Sequence, residues 1–207
     1  MQMAVVTRAS TLALCFMQTF SLPGATSSRP VITVRVFNYA GIPPNAMARA
    51  KRELTRIFST TGIQTHWLDC PVSPDALQNA PICAGPWHWT DLLLRVIPAA
   101  TTDRSNNSLG FSLPSSEGGV MAVIFYDRVE ELTKAKVAGA GQILGHAVAH
   151  EIGHLLLGSI IHSSSGLMSS PWSREDLKLA RLLFTHQEAK KMRAEVIRRM
   201  QLPLRAD

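Results

Sequence analysis

Charged side chains are scarce in this 207-residue chain: 17% are Asp, Glu, Lys or Arg, against 46% hydrophobic. Chains that stay disordered have the opposite balance, so this composition excludes disorder and calls for a packed core. The length suits one compact domain. No period of roughly 20–50 residues recurs, which excludes solenoids and propellers. A long hydrophobic run is also missing. The uncharged stretch near the N-terminus lies between Arg8 and Arg29, where Ser10, Gln18, Thr19, Ser21, Pro23 and Gly24 interrupt it. A membrane span needs about 20 mostly apolar residues, so no stable membrane insertion is expected.

That stretch reads instead as an export signal. Arg8 precedes the short apolar run with Leu12, Leu14 and Phe16, and a Pro-Gly-Ala-Thr exit follows. Residues 1–25 are therefore expected to be a signal peptide, and the mature chain secreted or periplasmic. Leu14 precedes Cys15 where a lipoprotein signal needs a small residue, which argues against a lipid anchor. Of the three cysteines, Cys70 and Cys83 would then remain, in a proline-rich loop. An even count in an exported chain predicts a disulfide between them. Closing so short a loop stabilises by about 3 kcal/mol in the chain-entropy picture.

The net charge of +6 is local, because residues 174–207 carry nine Lys/Arg against five Asp/Glu. Arg193, Arg198 and Arg199 alternate there with Met192, Val196 and Ile197, the pattern of a solvated amphipathic helix. No aromatic residues are interleaved to stack on bases, so no nucleic-acid partner is expected.

Residues 31–40 (VITVRVFNYA) are β-branched and aromatic, with Ile32, Val34 and Val36 on one face of a strand. Pro43-Pro44 opens a helix whose stripe is Met47, Ala50, Leu54, Ile57 and Phe58, and Gly62 suits its end. Residues 63–68 form a second strand, giving a β-α-β unit with parallel strands. Further strands are expected at 91–97, 109–113 and 120–126. The weak 109–113 strand should pair antiparallel with the next across a Pro-Ser-Ser-Glu-Gly-Gly turn. A linker holding Gly139 and Gly141 precedes a helix from about 142 to 157. Ser173-x-x-Asp176 and Thr185-x-x-Glu188 mark the starts of two closing helices. The fold class is α/β (α+β): a mixed sheet subdomain over 26–158 and a small C-terminal subdomain over 159–207.

Chemistry concentrates at His150-Glu151-Ile152-Gly153-His154. Histidines four apart on a helix differ by about 40° in direction and 6 Å in rise, so both imidazoles can converge on one metal. Glu151 points about 100° away from His150, beside that metal, where it can move protons as a general base. Neutral imidazoles without a thiolate, and an open position, are the pattern of catalytic zinc. The surrounding helix is apolar, where buried His and Glu would otherwise be costly. His146, one turn earlier, is read as packed or supporting, because three successive turns cannot all reach one tetrahedral ion. His66, His88 and His186 have no metal spacing. Trp172 either lines the site or fills the core, and Trp87-His88-Trp89 is either a surface patch or packing.

With Gly158, His162 and Met168 following, the sequence resembles the metzincin clan of zinc endopeptidases, broadly its matrix-metalloproteinase-like members. The clan pattern is H-E-x-x-H-x-x-G-x-x-H followed by a Met-turn. The resemblance implies a zincin-like fold with a twisted mixed sheet, an antiparallel edge strand, an active-site helix and C-terminal helices. It implies zinc held by His150, His154 and His162, Glu151 as general base, and Met168 beneath the metal. It further implies a peptide or protein substrate bound as an added strand along Leu109, Gly110 and Phe111. The match departs in spacing: Gly158 follows His154 by four residues rather than three, and His162 by eight rather than six. A rival third ligand is Glu175, 21 residues after His154, close to the spacing of thermolysin-like zincins. The competing reading is a zinc-stabilised exported binding protein without useful turnover.

Overall fold

The computed structural model describes residues 29–99, 108–115 and 119–204. The expected signal peptide over 1–25 lies outside the described residues. Five strands form one sheet: β1 (Val31–Asn38), β2 (Gln64–Cys70), β3 (Asp91–Ile97), β4 (Gly110–Ser112) and β5 (Met121–Phe125). Their order is β2-β1-β3-β5-β4. All neighbours pair in parallel except β4, which runs antiparallel to β5 at one edge of the sheet, with β2 at the other. Near-continuous apolar runs in β3 and β5 suit inner strands covered on both faces.

Helix α1 (Pro44–Ser59) buries the stripe expected from its spacing, Met47, Ala50, Leu54, Ile57 and Phe58. Two short helices, α2 (Pro74–Gln78) and α3 (Pro81–Ala84), occupy the cysteine loop, and the Cys70–Cys83 disulfide closes it. The loop is also nailed to the sheet by Arg35. Its buried guanidinium pairs with Asp91 at 2.6 Å, donates to the carbonyls of Ile82, Cys83 and Pro86, and lies 4.4 Å from the centre of the Trp87 ring. Trp87 is therefore packing.

The stretch after β5 departs from the expected linker. Tyr126–Lys134 is a helix, α4, that follows β5 directly. It buries only Val129 and carries Asp127, Arg128, Glu130, Glu131 and Lys134, so it offers little apolar periodicity to read.

Helix α5 (Ala140–Leu157) runs through the core against α1 and the sheet and is buried on nearly every side, as its apolar sequence requires. Gly141 and Gly145 allow the close approach to α1. A Cβ at either would meet Ala46 O at 2.7 Å or Ala50 O at 2.9 Å. Gly158 caps α5 in the left-handed region at φ 64°, and its N–H bonds to His154 O. Beyond it come α6 (Arg174–Lys178), capped by Ser173, and α7 (His186–Met200), which opens with the expected Thr185/Glu188 capping box. Arg199 of α7 is buried and donates to Leu155 O of α5 at 2.9 Å and to Gly119 O before β5 at 3.1 Å.

Candidate metal centre

One turn of α5 separates His150 from His154, and each imidazole is oriented by a carbonyl. His150 Nδ1–H donates to Leu167 O at 2.8 Å, and His154 Nδ1–H donates to Ser159 O at 2.7 Å. Carbonyls only accept, so both protons sit on Nδ1 and both Nε2 atoms present lone pairs. These two Nε2 atoms lie 3.1 Å apart. Two acceptors facing each other in a buried place are unfavourable unless a cation joins them. Nitrogens about 2.0–2.1 Å from a tetrahedral zinc ion stand ~3.3 Å apart, close to the spacing found.

His162 completes the group. Its ring centre lies 5.2 Å from that of His150 and 5.1 Å from that of His154. The ligand atoms of the three residues all fall within 4.8 Å of one another. His150 and His154 are buried while His162 is exposed, so the group opens to solvent on the His162 side. Burial, the largest cause, pushes the His150 pKa down to about 4, with the charges of His154 and His162 adding to it. Burial lowers His154 as well. Both imidazoles are thus neutral near pH 7 and able to ligate.

Below the histidines lies the turn that carries Met168. Gly166 adopts φ 76°, Leu167 N–H bonds to Leu183 O at 2.8 Å, and Met168 is fully buried. A Cβ on Gly153, between the two helical histidines, would stand 2.5 Å from Met168 Sδ. Leu167 O accepts from both His150 Nδ1 and Trp172 Nε1, the latter at 2.9 Å, and the Trp172 ring meets His150 edge-on at 5.3 Å. Trp172 therefore borders the site.

Glu151 is buried, which pushes its pKa up to about 7 against the opposing effect of a hydrogen bond with Ser112. Strand β4 passes directly beside it. A Cβ on Gly110 would lie 3.4 Å from Glu151 Cγ, 2.8 Å from Ile124 Cδ1 and 2.4 Å from Val123 O, so only glycine fits between carboxylate and partner strand. Leu109 packs on the main core and Phe111 against Phe125, with ring centres 5.9 Å apart. Of the three predicted strand residues, the structure brings Gly110 to the carboxylate. It adds Ser112, which a three-residue strand without metal spacing gave no reason to select.

Among the described residues, Glu175 is not in the group. It sits at the start of α6 by a surface hollow of about 400 Å³ lined also by Lys136, Arg174 and Lys178. His146 is buried, donates from Nδ1 to Gln142 O at 2.9 Å, and faces Glu53 at 3.5 Å, away from the ligand cluster.

No protein-family model and no curated protein matches this sequence. Solved structures do match it. A zinc-dependent peptidase from Methanocorpusculum labreanum superposes with a TM-score of 0.55 at 16% identity, over 77% of this chain and 99% of that one. An archaemetzincin from Methanopyrus kandleri superposes with a TM-score of 0.53 at 14% identity, over 81% and 97%. The chain has a zincin-like fold. In that fold the sheet's antiparallel edge and the central helix meet where Gly110, Glu151 and the three histidines gather.

Proposed function

We propose that the chain is an exported zinc-dependent metallopeptidase of metzincin type that cleaves internal peptide bonds. One observation carries this reading: three imidazoles converge, two with opposed Nε2 lone pairs, beside a buried carboxylate and an outermost strand. The zinc-peptidase neighbours share that fold. His150, His154 and His162 would hold the ion, and Met168 would floor it. Bound there, zinc supplies Lewis acidity that polarises the scissile carbonyl and eases deprotonation of water.

The chain's own groups do the rest. Glu151, with a pKa near 7, accepts the proton of the attacking water and returns it to the leaving amine. Ser112 holds that carboxylate in place. The outer edge of β4 offers main-chain donors and acceptors to a peptide lying as an added strand, which fixes the substrate with little demand on its side chains.

Glu151→Gln tests the reading. The variant is expected to bind zinc as wild type does while peptide cleavage falls by about 10²–10⁴-fold. Wild-type protein that holds zinc yet cleaves nothing in a diverse peptide library would instead establish the binding-protein alternative.

A further inference from the structure

The loop that delivers His162 is longer than the metzincin pattern and poorly covered: Ile160 and Ile161 are 70% and 79% exposed. Such a loop can aim a side chain only if its far end is fixed. The fixed point is Ser163, the residue after His162. Its N–H donates to Met168 O at 2.9 Å, it bridges to Ser169, and its hydroxyl donates to Glu188 Oε1. Glu188 is buried, and its other oxygen accepts the Thr185 N–H at 2.7 Å.

One carboxylate thus serves two ends. Oε2 closes the capping box of α7, and Oε1 ties the neighbour of His162 to the start of that helix. Capping alone asks only for the Oε2 contact. The Oε1 contact is spent on the loop. Because α7 is itself bound to α5 through Arg199 and Leu155 O, the exposed histidine is held relative to the helix that carries the other two.

We propose that Glu188, acting through Ser163, is the positioning residue for His162. The proposal rests on the three-histidine reading of the metal group. Outer partners that orient metal ligands typically govern affinity by about 10–100-fold, because they hold the ligand in place before the ion arrives.

The test measures zinc affinity by chelator competition, the visible spectrum of the cobalt-substituted protein, and thermal stability of the metal-free full chain. Ser163→Ala removes only the tie. It is expected to weaken zinc binding by about 10–100-fold, to move the cobalt spectrum toward that of His162→Ala, and to lower the metal-free Tm by only about 2–4 °C, the effect of one hydrogen bond lost to the buried Glu188 carboxylate. Ser163→Thr keeps the hydroxyl and is expected to restore affinity. Thr185→Ala removes the cap and not the tie, so it should lower the metal-free Tm while zinc affinity stays at the wild-type value. Wild-type affinity in Ser163→Ala, or an equal loss in Thr185→Ala, overturns the proposal. Unchanged affinity in His162→Ala overturns the three-histidine reading and the proposal together. A loss in His162→Ala that Ser163→Ala does not share overturns the proposal alone.

Discussion

Replacing Gly110 by alanine sets backbone preference against packing. In a strand interior alanine is favoured over glycine by about 0.5–1 kcal/mol, so preference alone predicts a more stable protein. Packing predicts the reverse. The added Cβ would stand 2.4 Å from Val123 O, a backbone atom of the partner strand, and 2.8 Å from Ile124 Cδ1. Relief of that contact requires β4 to move outward by about 1 Å, since carbon and oxygen need ~3.3 Å. The flanking bonds Phe125 N–H to Leu109 O at 2.9 Å and Leu113 N–H to Met121 O at 3.0 Å would then be lost. Each contributes about 0.5–1.5 kcal/mol, so the loss outweighs the gain and leaves about 1–2 kcal/mol of destabilisation. For a chain of this size that lowers Tm by roughly 2–8 °C. Differential scanning calorimetry of the metal-free protein, zinc competition and peptide cleavage together read the outcome. Tm and cleavage should fall while zinc affinity holds, because the atoms nearest the added Cβ belong to Val123, Ile124 and Glu151 and to none of the histidines. A raised Tm with unchanged cleavage would refute the placement of β4 against Glu151.

Two further perturbations follow from the buried groups. Glu151 has a folded pKa raised to about 7, so the fold favours its protonated form; that contribution is present at low pH and lost as pH rises through 7. Metal-free Glu151→Gln should therefore gain Tm over wild type at pH 8 and show a smaller difference at pH 5, and equal differences at both would contradict the buried carboxylate. The Cys70→Ser/Cys83→Ser double variant should lose about 3 kcal/mol in chemical denaturation yet keep its zinc affinity, because the disulfide lies on the β2 side of the sheet. Loss of zinc binding in that variant would show the loop to be coupled to the metal group.

Much of this arrangement was legible in residue spacing. Apolar alternation and the 3.6-residue stripe located β1, α1, β3 and β5, because these elements bury whole faces and the core dictates their pattern. His150, Glu151 and His154 were legible because one helix holds all three, so sequence distance converts directly into geometry. His162 depended on a loop, where distance in sequence does not fix distance in space, and only the fold separates it from Glu175. What was missed shares one property: Ser112, the second contact of Glu188, whose spacing marks only a helix cap, and Arg199, whose pattern is that of a solvated face although it is buried, all owe their places to partners far away in the chain. Local periodicity carries no record of such partners. Helix α4 was missed for a related reason, since its place comes from following β5 directly and not from an apolar stripe.

The proposed zinc site joins His150, His154 and His162. Its most direct measurement is the zinc content and affinity of the purified chain beside His162→Ala. One zinc ion per wild-type chain and a markedly weakened affinity in the variant are predicted. Wild-type chain that takes up no zinc, or a variant that binds it as tightly as wild type, would contradict the account.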